Sequence, residues 1–301
     1  MAQARPVPRL AADLALLVVA GFWGLTFPFG KLVLGVLPPF TYLAARFTLG
    51  AVLLVVGHTT AARESHPRRW GAAGAVGAVF FLGYAFQTVG LRLTTASKAA
   101  FITGLSVVLV PVIAALWLRR APPPAVWGGI AAATAGLGLL SLDGPAAVQA
   151  GDLLVLAGAV CFALHIVLVG RLAATIAPPA FAAAQIVAVM ALSTLAALPE
   201  RPLAALGAAP ADVWAMVAFM AATATVGALL VQTWAQRFTP PAHVGLMFTF
   251  EPVAAAIAAY LLLGEVLAVR QTLGALLILG GIVLAEAPGS LPATTRPVPG
   301  D

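Results

Sequence analysis

Apolar blocks, each about as long as a membrane is thick, constrain the fold of this chain more than any other feature. An α-helix needs about 20 apolar residues to cross the hydrocarbon core of a bilayer. Ten blocks approach that length: residues 11–32, 39–57, 70–91, 96–118, 124–142, 152–171, 179–198, 211–235, 241–263 and 268–286. The sequence therefore predicts an all-α membrane protein with ten transmembrane helices.

The low charge content argues against a soluble fold. Only 9% of the residues are charged and 62% are hydrophobic, whereas a soluble domain carries about 25% charged residues. In a soluble protein the net charge of +6 would suggest a nucleic-acid ligand. Here the basic residues lie in the short gaps between apolar blocks, so we expect a lipid bilayer and no nucleic acid as the partner.

The positions of Lys and Arg predict the orientation in the membrane. With both termini in the cytoplasm, ten basic residues fall inside and four fall outside, which matches the excess of basic residues in cytoplasmic loops. The first block contains Trp23, Pro28 and Lys31 without a clear cleavage site, so we interpret it as an uncleaved helix. We expect a multi-pass protein of the inner (cell) membrane with cytoplasmic termini.

The two halves of the chain are related in sequence. At an offset of 145 residues, without a gap, Gln87, Thr88, Arg92 and Thr94 align with Gln232, Thr233, Arg237 and Thr239. An offset of 139 aligns Asp13 with Asp152. Each half holds five spans, an odd number, so the second half enters the membrane upside down. Inverted repeats are typical of secondary transporters, although duplication also occurs in channels and some membrane enzymes.

The repeat predicts the domain limits. Residues 1–145 form the first repeat with helices 1–5, residues 146–290 form the second with helices 6–10, and residues 291–301 form a flexible C-terminal tail.

Glycines recur in helices 5 and 10. Gly129 and Gly136 align with Gly274 and Gly281, and small residues of this kind let helix backbones approach closely. These two helices carry few polar groups, which fits a lipid-facing or dimer-facing position. A homodimer is therefore a possible partner.

Three segments carry a family resemblance. They are Pro39-Phe40 to Ala45-Arg46-Phe47 in helix 2, Lys98-Ala99-Ala100-Phe101 through Val110-Pro111 in helix 4, and Glu251-Pro252-Val253 to Leu263-Gly264-Glu265 in helix 9. With the glycines of helix 10, they make nearly the whole chain resemble the EamA family of the drug/metabolite transporter superfamily. Arg119-Arg120 stands where the second half has Gly264-Glu265, a departure that weakens any role for that loop.

The resemblance implies two inverted five-helix halves around a central cavity lined by helices 1–4 and 6–9. It also implies outward transport of a small polar or amphipathic metabolite, amino-acid-like or otherwise, by alternating access. No ATP-binding sequence of the G-x-x-x-x-G-K type is present, so we expect an ion or solute gradient to drive transport and no cofactor. The alternatives are a membrane channel and a membrane-embedded enzyme acting on lipid-linked substrates.

Ionisable residues inside the spans are the first candidates for the pathway, because each costs about 2.5 kcal/mol or more at the bilayer centre. Arg46, Lys98 and Glu251 stand out. At about 1.5 Å per residue, Arg46 lies roughly 12 Å inside the outer boundary and Glu251 about midway across. Arg46 either binds a substrate carboxylate or phosphate or anchors its helix to backbone carbonyls.

Lys98 and His243 are equivalent in the repeat and lie near opposite mouths of the expected cavity. A cation-capable residue at each mouth would suit anionic or zwitterionic solutes. The alternative for Lys98 is a side chain that reaches out to the membrane interface.

Glu251 precedes Pro252 in mid-span, where the proline frees a carbonyl one turn earlier and lets the helix bend. Two interpretations stay open. Glu251 is either a proton site for coupled transport, or it forms a buried ion pair with Arg46 that only stabilises the fold.

Uncharged candidates complete the predicted site. Gln87 and Gln232 either contact a polar substrate or join helices. Trp23, Tyr84 and Trp234 are candidates for the cavity wall, although aromatic residues in spans also pack against neighbours or lie at interfaces. His165 has no metal-ligand companion at i+3 or i+4, so we expect a structural histidine and no metal site.

Overall fold

Helices joined by short turns make up the residues that the computed structural model describes, namely 9–57, 67–94, 96–118, 123–141, 149–263 and 268–286. The helices of the first half are α1 (Arg9–Leu34), α2 (Pro39–Gly57), α3 (Pro67–Leu93), α4 (Ala96–Gly104), α5 (Ser106–Leu118) and α6 (Pro124–Ser141).

The second half continues in the same manner. Its helices are α7 (Ala150–Leu172), α8 (Pro178–Ala197), α9 (Pro202–Ala208), α10 (Ala211–Met220), α11 (Ala228–Ala235), α12 (Pro241–Met247), α13 (Phe250–Leu263) and α14 (Val269–Glu286). A 3₁₀ turn, Leu198–Glu200, follows α8, and a π-helical segment, Ala221–Gly227, joins α10 to α11.

Six helical stretches in the described residues are long and apolar enough to cross a membrane. They are Arg9–Leu34, Arg69–Leu93, Ala150–Leu172, Pro178–Glu200, Ala211–Ala235 and Pro241–Ala258. The predicted all-α membrane fold is therefore confirmed, with six clear spans. Shorter apolar helices cover Pro39–Leu54, Ile102–Trp117 and Thr272–Leu284.

Proline sets where many of the helices begin. Proline is the first residue of α2, α3, α6, α8, α9 and α12. At this position its missing N–H is one that has no intrahelical partner in any case, and its fixed φ already suits a helix.

A glutamate from the second half caps a helix of the first. The Glu200 carboxylate accepts hydrogen bonds from the backbone N–H groups of Phe40 and Thr41, at 3.2 and 2.7 Å, and from the Thr41 hydroxyl at 2.9 Å. A carboxylate at the start of α2 satisfies free N–H groups and complements the helix dipole.

Two apolar helical runs are interrupted at nearly equivalent positions of the repeat. The first break lies at Leu105, between α4 and α5, and the second lies at Phe248 and Thr249, between α12 and α13. Pro252 explains the second break, because it has no N–H to offer the carbonyl of Phe248. The backbone N–H of Glu251 donates a hydrogen bond to the Phe248 carbonyl instead, at 3.0 Å. Glu251 therefore lies in the first turn of α13.

The glycines of α6 and α14 face each other. A Cβ atom added to Gly136 would lie 2.6 Å from the carbonyl oxygen of Gly274, and one added to Gly281 would lie 2.6 Å from that of Gly129. The expected close backbone approach is thus present, and the partner is the other helix of the same chain. Apolar side chains elsewhere on α14, such as those of Leu276 and Val283, are exposed.

Two short hydrogen bonds join the halves. The Thr94 hydroxyl donates to the Asp152 carboxylate at 2.5 Å, and the Thr239 hydroxyl donates to the Asp13 carboxylate at 2.6 Å. Thr94 aligns with Thr239, and Asp13 aligns with Asp152. Each threonine therefore bonds to the aspartate of the other half, and the two contacts are equivalent under the repeat.

Candidate functional site

A cavity with about 500 Å³ of empty space, part of it open to solvent, lies between helices of both halves. Its aromatic wall consists of Trp23, Phe80, Tyr84, Phe162 and Phe248. Its polar lining consists of Thr26, Gln87, Thr103, Ser106, His165, Gln232 and Glu251, and Ile166 completes it. Each half supplies both aromatic and polar groups.

The structure brings five of the nine predicted site residues to this cavity: Trp23, Tyr84, Gln87, Gln232 and Glu251. Arg46, His243 and Trp234 do not line it. Lys98 belongs to α4, but its side chain lies outside the part of the chain that is described.

Close packing of α1 on α13 places Trp23 beside Glu251. A Cβ atom on Gly24 would lie 2.5 Å from the carbonyl oxygen of Glu251, so only glycine fits at this contact. Trp23 precedes this glycine, and its ring packs edge-on against Phe248 with the ring centroids 4.7 Å apart. The break before α13 and the glycine of α1 together position this wall of the cavity.

Glu251 is the one formally charged side chain among the described residues that line the cavity. It is 9% exposed. Within the described part of the chain, no hydrogen bond or ion pair reaches its carboxylate. The ion pair with Arg46 considered from the sequence is not formed, because Arg46 bonds elsewhere.

Arg46 is 2% exposed and joins α2 to the π-helical segment. Its Nε donates to the Thr225 hydroxyl at 2.8 Å, and its Nη2 donates to the carbonyl of Ala224 at 3.1 Å. Its Nη1 donates to the Tyr42 hydroxyl at 3.2 Å, and the guanidinium lies 5.2 Å from the centre of the Tyr84 ring. These contacts favour the anchoring interpretation over substrate binding.

Gln232 belongs to a relay of amides that starts at a backbone carbonyl. The Gln236 Nε2 donates to the carbonyl of Ile166 at 2.8 Å, and the Gln232 Nε2 donates to the Gln236 Oε1 at 3.0 Å. The Gln232 Oε1 is buried without a hydrogen-bond partner among the described residues. Gln236 was not predicted, although its position four residues after Gln232 puts both amides on one helix face.

Trp23 and Gln87 each donate a hydrogen bond to another group of the protein. The indole N–H of Trp23 donates to the carbonyl of Ala224 at 2.9 Å. The Gln87 Nε2 donates to the Thr103 hydroxyl at 3.0 Å. Gln87 therefore ties α3 to α4 while it lines the cavity, so both interpretations of this glutamine stay open.

His165 is satisfied by its surroundings, as expected from the sequence. Its Nε2 lies 2.6 Å from the Gln185 Oε1, and its ring stacks on Phe80 with the centroids 4.2 Å apart. The sequence did not indicate that this histidine also lines the cavity. Phe80, Phe162 and Thr103 were missed for a related reason: in helices that are apolar on every face, periodicity does not mark the inward side.

The two remaining candidates are packed away from the cavity. His243 is 1% exposed and lies in α12. Trp234 packs against Phe238, with the ring centroids 5.7 Å apart.

The fold and the cavity together define an integral membrane protein of the multi-pass, all-helical class. The sequence profile of the EamA-like transporter family matches residues 10–142 and again residues 149–286. The chain therefore belongs to the EamA-like transporter family, within the drug/metabolite transporter superfamily, with two EamA domains. This is a family of transporters and not of enzymes, and the resemblance found in the motifs is confirmed.

Two further proteins are similar to this chain. An uncharacterized transporter from Archaeoglobus fulgidus is 35% identical over 170 residues, which cover 56% of this chain and 52% of the relative. The match thus spans about half the length of that curated relative. A protein of known crystal structure superposes with a TM-score of 0.73 over 92% of this chain and 96% of its own, at 20% identity, which shows a shared fold.

Proposed function

We propose that this chain is a secondary transporter that moves a small polar or amphipathic solute through the central cavity by alternating access. The observation that carries the proposal is the cavity itself, which both halves line with amides, hydroxyls and one carboxylate inside otherwise apolar helices. Polar groups at this depth are costly in a membrane protein and typically mark a substrate pathway.

The proposed architecture is ten helices arranged as two inverted repeats, with residues 1–145 and 146–290 as the two units. Residues 291–301, predicted to be a tail, lie outside the described part of the chain. Reciprocal contacts support the two-repeat arrangement. The repeat relates Thr94 to Thr239 and Asp152 to Asp13, so it converts the Thr94–Asp152 hydrogen bond into the Thr239–Asp13 hydrogen bond. The glycine contacts between α6 and α14 are related in the same way. Such pairs are expected where two related units meet about a two-fold axis.

The proposed location is the inner (cell) membrane, and the proposed orientation has both termini in the cytoplasm. The orientation is supported by arginines that gather at one end of the bundle. Arg69 and Arg237 donate to carbonyls of the turn after α7, those of Thr175 and Ala173. Arg9 begins α1 and Arg171 lies in the last turn of α7. Basic residues are retained on the cytoplasmic side.

A channel is the remaining alternative. Metabolite profiling of medium from cells with and without the protein identifies candidate solutes, and uptake into proteoliposomes then tests them. We expect uptake to saturate with solute concentration, because a carrier binds its substrate once per cycle. Flux that rises linearly with concentration would indicate a channel, and failure of every solute to differ between the cells would reject transport.

We further propose that Glu251 carries the proton of a coupled transport cycle. Burial away from water favours the neutral form of an unpaired carboxyl group, and the carboxylate lies in the cavity without a partner among the described residues. Tyr84 and His165 are the other titratable residues of the described lining.

The helices packed against α13 carry six ionisable residues. The helices are α1, α4, α6 and α14, and their ionisable residues are Arg9, Asp13, Lys31, Lys98, Arg270 and Glu286. Arg9 pairs with Asp13 at 3.4 Å, and Lys31 donates to the carbonyls of Leu91 and Thr94. These three groups therefore have partners other than Glu251.

The substitution Glu251→Gln tests the coupling. In proteoliposomes loaded with the solute found by profiling, we expect wild-type flux to follow an imposed pH gradient and the variant to ignore it, since an amide cannot exchange a proton. Asp212→Asn, at an exposed carboxylate, is the matched control and should behave as wild type. A variant that keeps the wild-type gradient dependence would reject coupling through Glu251.

A further inference from the structure

Two residues of the cavity wall, Gln232 and Glu251, carry hydrogen-bond acceptors that have no donor among the described residues. The orientation of the Gln232 amide is determined by its relay. A backbone carbonyl only accepts, so Gln236 must turn its Nε2 to Ile166 and its Oε1 to Gln232. Gln232 must then turn its Nε2 to Gln236, which leaves its Oε1 as the free atom. Gln232 is 0% exposed, and a buried acceptor without a donor is costly.

Glu251 adds a second set of free acceptors to the same cavity. When a cation displaces the proton that Glu251 carries in the proposed cycle, the ionised carboxylate only accepts hydrogen bonds. None reaches it within the described part of the chain. A ligand that satisfies both residues needs several N–H groups and a positive charge.

Three donor groups near Gln232 and Glu251 are already used within the protein. The indole N–H of Trp23 and the Nη2 of Arg46 both donate to the carbonyl of Ala224. The Thr26 hydroxyl donates to the carbonyl of Trp23 at 2.7 Å. An anionic group placed here would meet a carboxylate and free acceptors, so this wall disfavours it.

Aromatic rings line the same cavity as these acceptors. Phe162 packs edge-on against both Phe80 and Tyr84, with centroid separations of 5.9 and 5.4 Å. Ring faces attract cations and apolar surface alike.

We infer that the solute of this transporter carries a primary or secondary ammonium group on an apolar, ring-sized body. The ammonium N–H groups donate to the Gln232 Oε1 and to the Glu251 carboxylate, and the body packs among Phe80, Tyr84 and Phe162. The inference rests on the proposed transport function and gives its substrate class. A quaternary ammonium has the charge but no N–H, so it satisfies Glu251 electrostatically and leaves Gln232 without a donor.

Binding to the purified full chain in detergent tests this with four probes of similar shape. They are 2-phenylethylamine, its N,N,N-trimethyl derivative, 2-phenylethanol and 3-phenylpropionate, each titrated calorimetrically at neutral pH. We expect the primary amine to bind about tenfold or more tightly than the other three, because a hydrogen bond to a charged group contributes about 1.5–3 kcal/mol.

Variants assign the preference to the two acceptors. Gln232→Leu should abolish the advantage of the primary amine over its trimethyl derivative, and Glu251→Gln should abolish its advantage over the alcohol. Asp212→Asn should leave the ranking unchanged. The ranking on the unmodified chain is decisive even where a variant fails to fold: equal or tighter binding of the alcohol, the trimethyl derivative or the carboxylate overturns the inference.

Transport assays separate this inference from the function on which it rests. If proteoliposomes accumulate an anionic or neutral solute and no amine, the transporter proposal stands and the substrate class is wrong. If the amine binds with the expected ranking but no solute crosses the membrane, the binding site stands and the transporter proposal fails.

Discussion

Arg46 and Glu251 are both buried ionisable residues, and their surroundings differ in kind. All three guanidinium nitrogens of Arg46 donate to groups of the protein. The Glu251 carboxylate receives no hydrogen bond from the described residues and faces the cavity instead. A buried charge with every partner in place stabilises one packing of the helices, whereas an unpartnered one requires a mobile ion or ligand. This difference supports an anchoring role for Arg46 and the proposed binding role for Glu251.

Arg46→Met tests the anchoring role. The substitution leaves the hydroxyls of Thr225 and Tyr42 without their donor, so we expect the free energy of unfolding to fall by about 2–3 kcal/mol. Thermal unfolding in detergent measures this, and Arg92→Met, at an exposed arginine, serves as the control. An unchanged melting temperature together with lost transport would instead assign the guanidinium to the substrate.

Individual site residues could be predicted from the sequence only in part. Ionisable and amide side chains in apolar blocks are visible without a structure, which is how Gln87, Gln232 and Glu251 were found. The partners of Arg46 were not predictable, because they include a backbone carbonyl of Ala224 from a distant π-helical segment. Whether a polar group faces the cavity or a neighbouring helix depends on helix rotation, which a uniformly apolar sequence does not encode.

At the scale of elements, helix limits agree closely with the apolar blocks. Block 39–57 coincides with α2, and block 124–142 with α6, Pro124–Ser141. The interior irregularities were harder to predict. Pro252 indicated a bend before α13, but the break at Leu105 and the π-helical segment Ala221–Gly227 have no proline of their own. Helix α9 is too short to span a membrane and falls between two blocks.

The α6–α14 contact gives a prediction with a neighbouring control. Gly281→Ala puts a methyl group against the carbonyl of Gly129, so we expect the free energy of unfolding to fall by about 1–3 kcal/mol. Gly280→Ala meets nothing within 4 Å and should be neutral or stabilising by up to about 1 kcal/mol, because alanine favours the helix. Equal melting temperatures for the two variants would contradict the tight contact.

At the scale of the whole molecule, the reciprocal Thr–Asp contacts lie at opposite ends of the bundle. Thr239–Asp13 joins the start of α1 to the turn after α11, and Thr94–Asp152 joins the end of α3 to the start of α7. The proposed alternating-access cycle would move one repeat against the other around the cavity. Each contact is therefore a place where such motion can be blocked.

Cross-linking tests this motion. In a Cys161→Ala background, which removes the single cysteine, the pair Asp13→Cys with Thr239→Cys and the pair Thr94→Cys with Asp152→Cys are each oxidised. We expect at least one disulfide to arrest transport in proteoliposomes and reduction to restore the rate of the same variant. Undiminished transport through both cross-linked proteins would argue against relative movement of the repeats at these ends.

The reciprocity of these contacts also bears on the energetics of the transport cycle. The same Thr–Asp hydrogen bond occurs once at each end of the bundle. If the two halves exchange conformations, the state open to one side becomes the state open to the other side, and the same kinds of hydrogen bonds are present in both. For the proposed alternating-access cycle, we therefore expect the two open states to be close in free energy. In the proposed cycle, net flux in one direction comes from the concentrations of solute and protons on the two sides of the membrane, and we expect reversed gradients to reverse the flux.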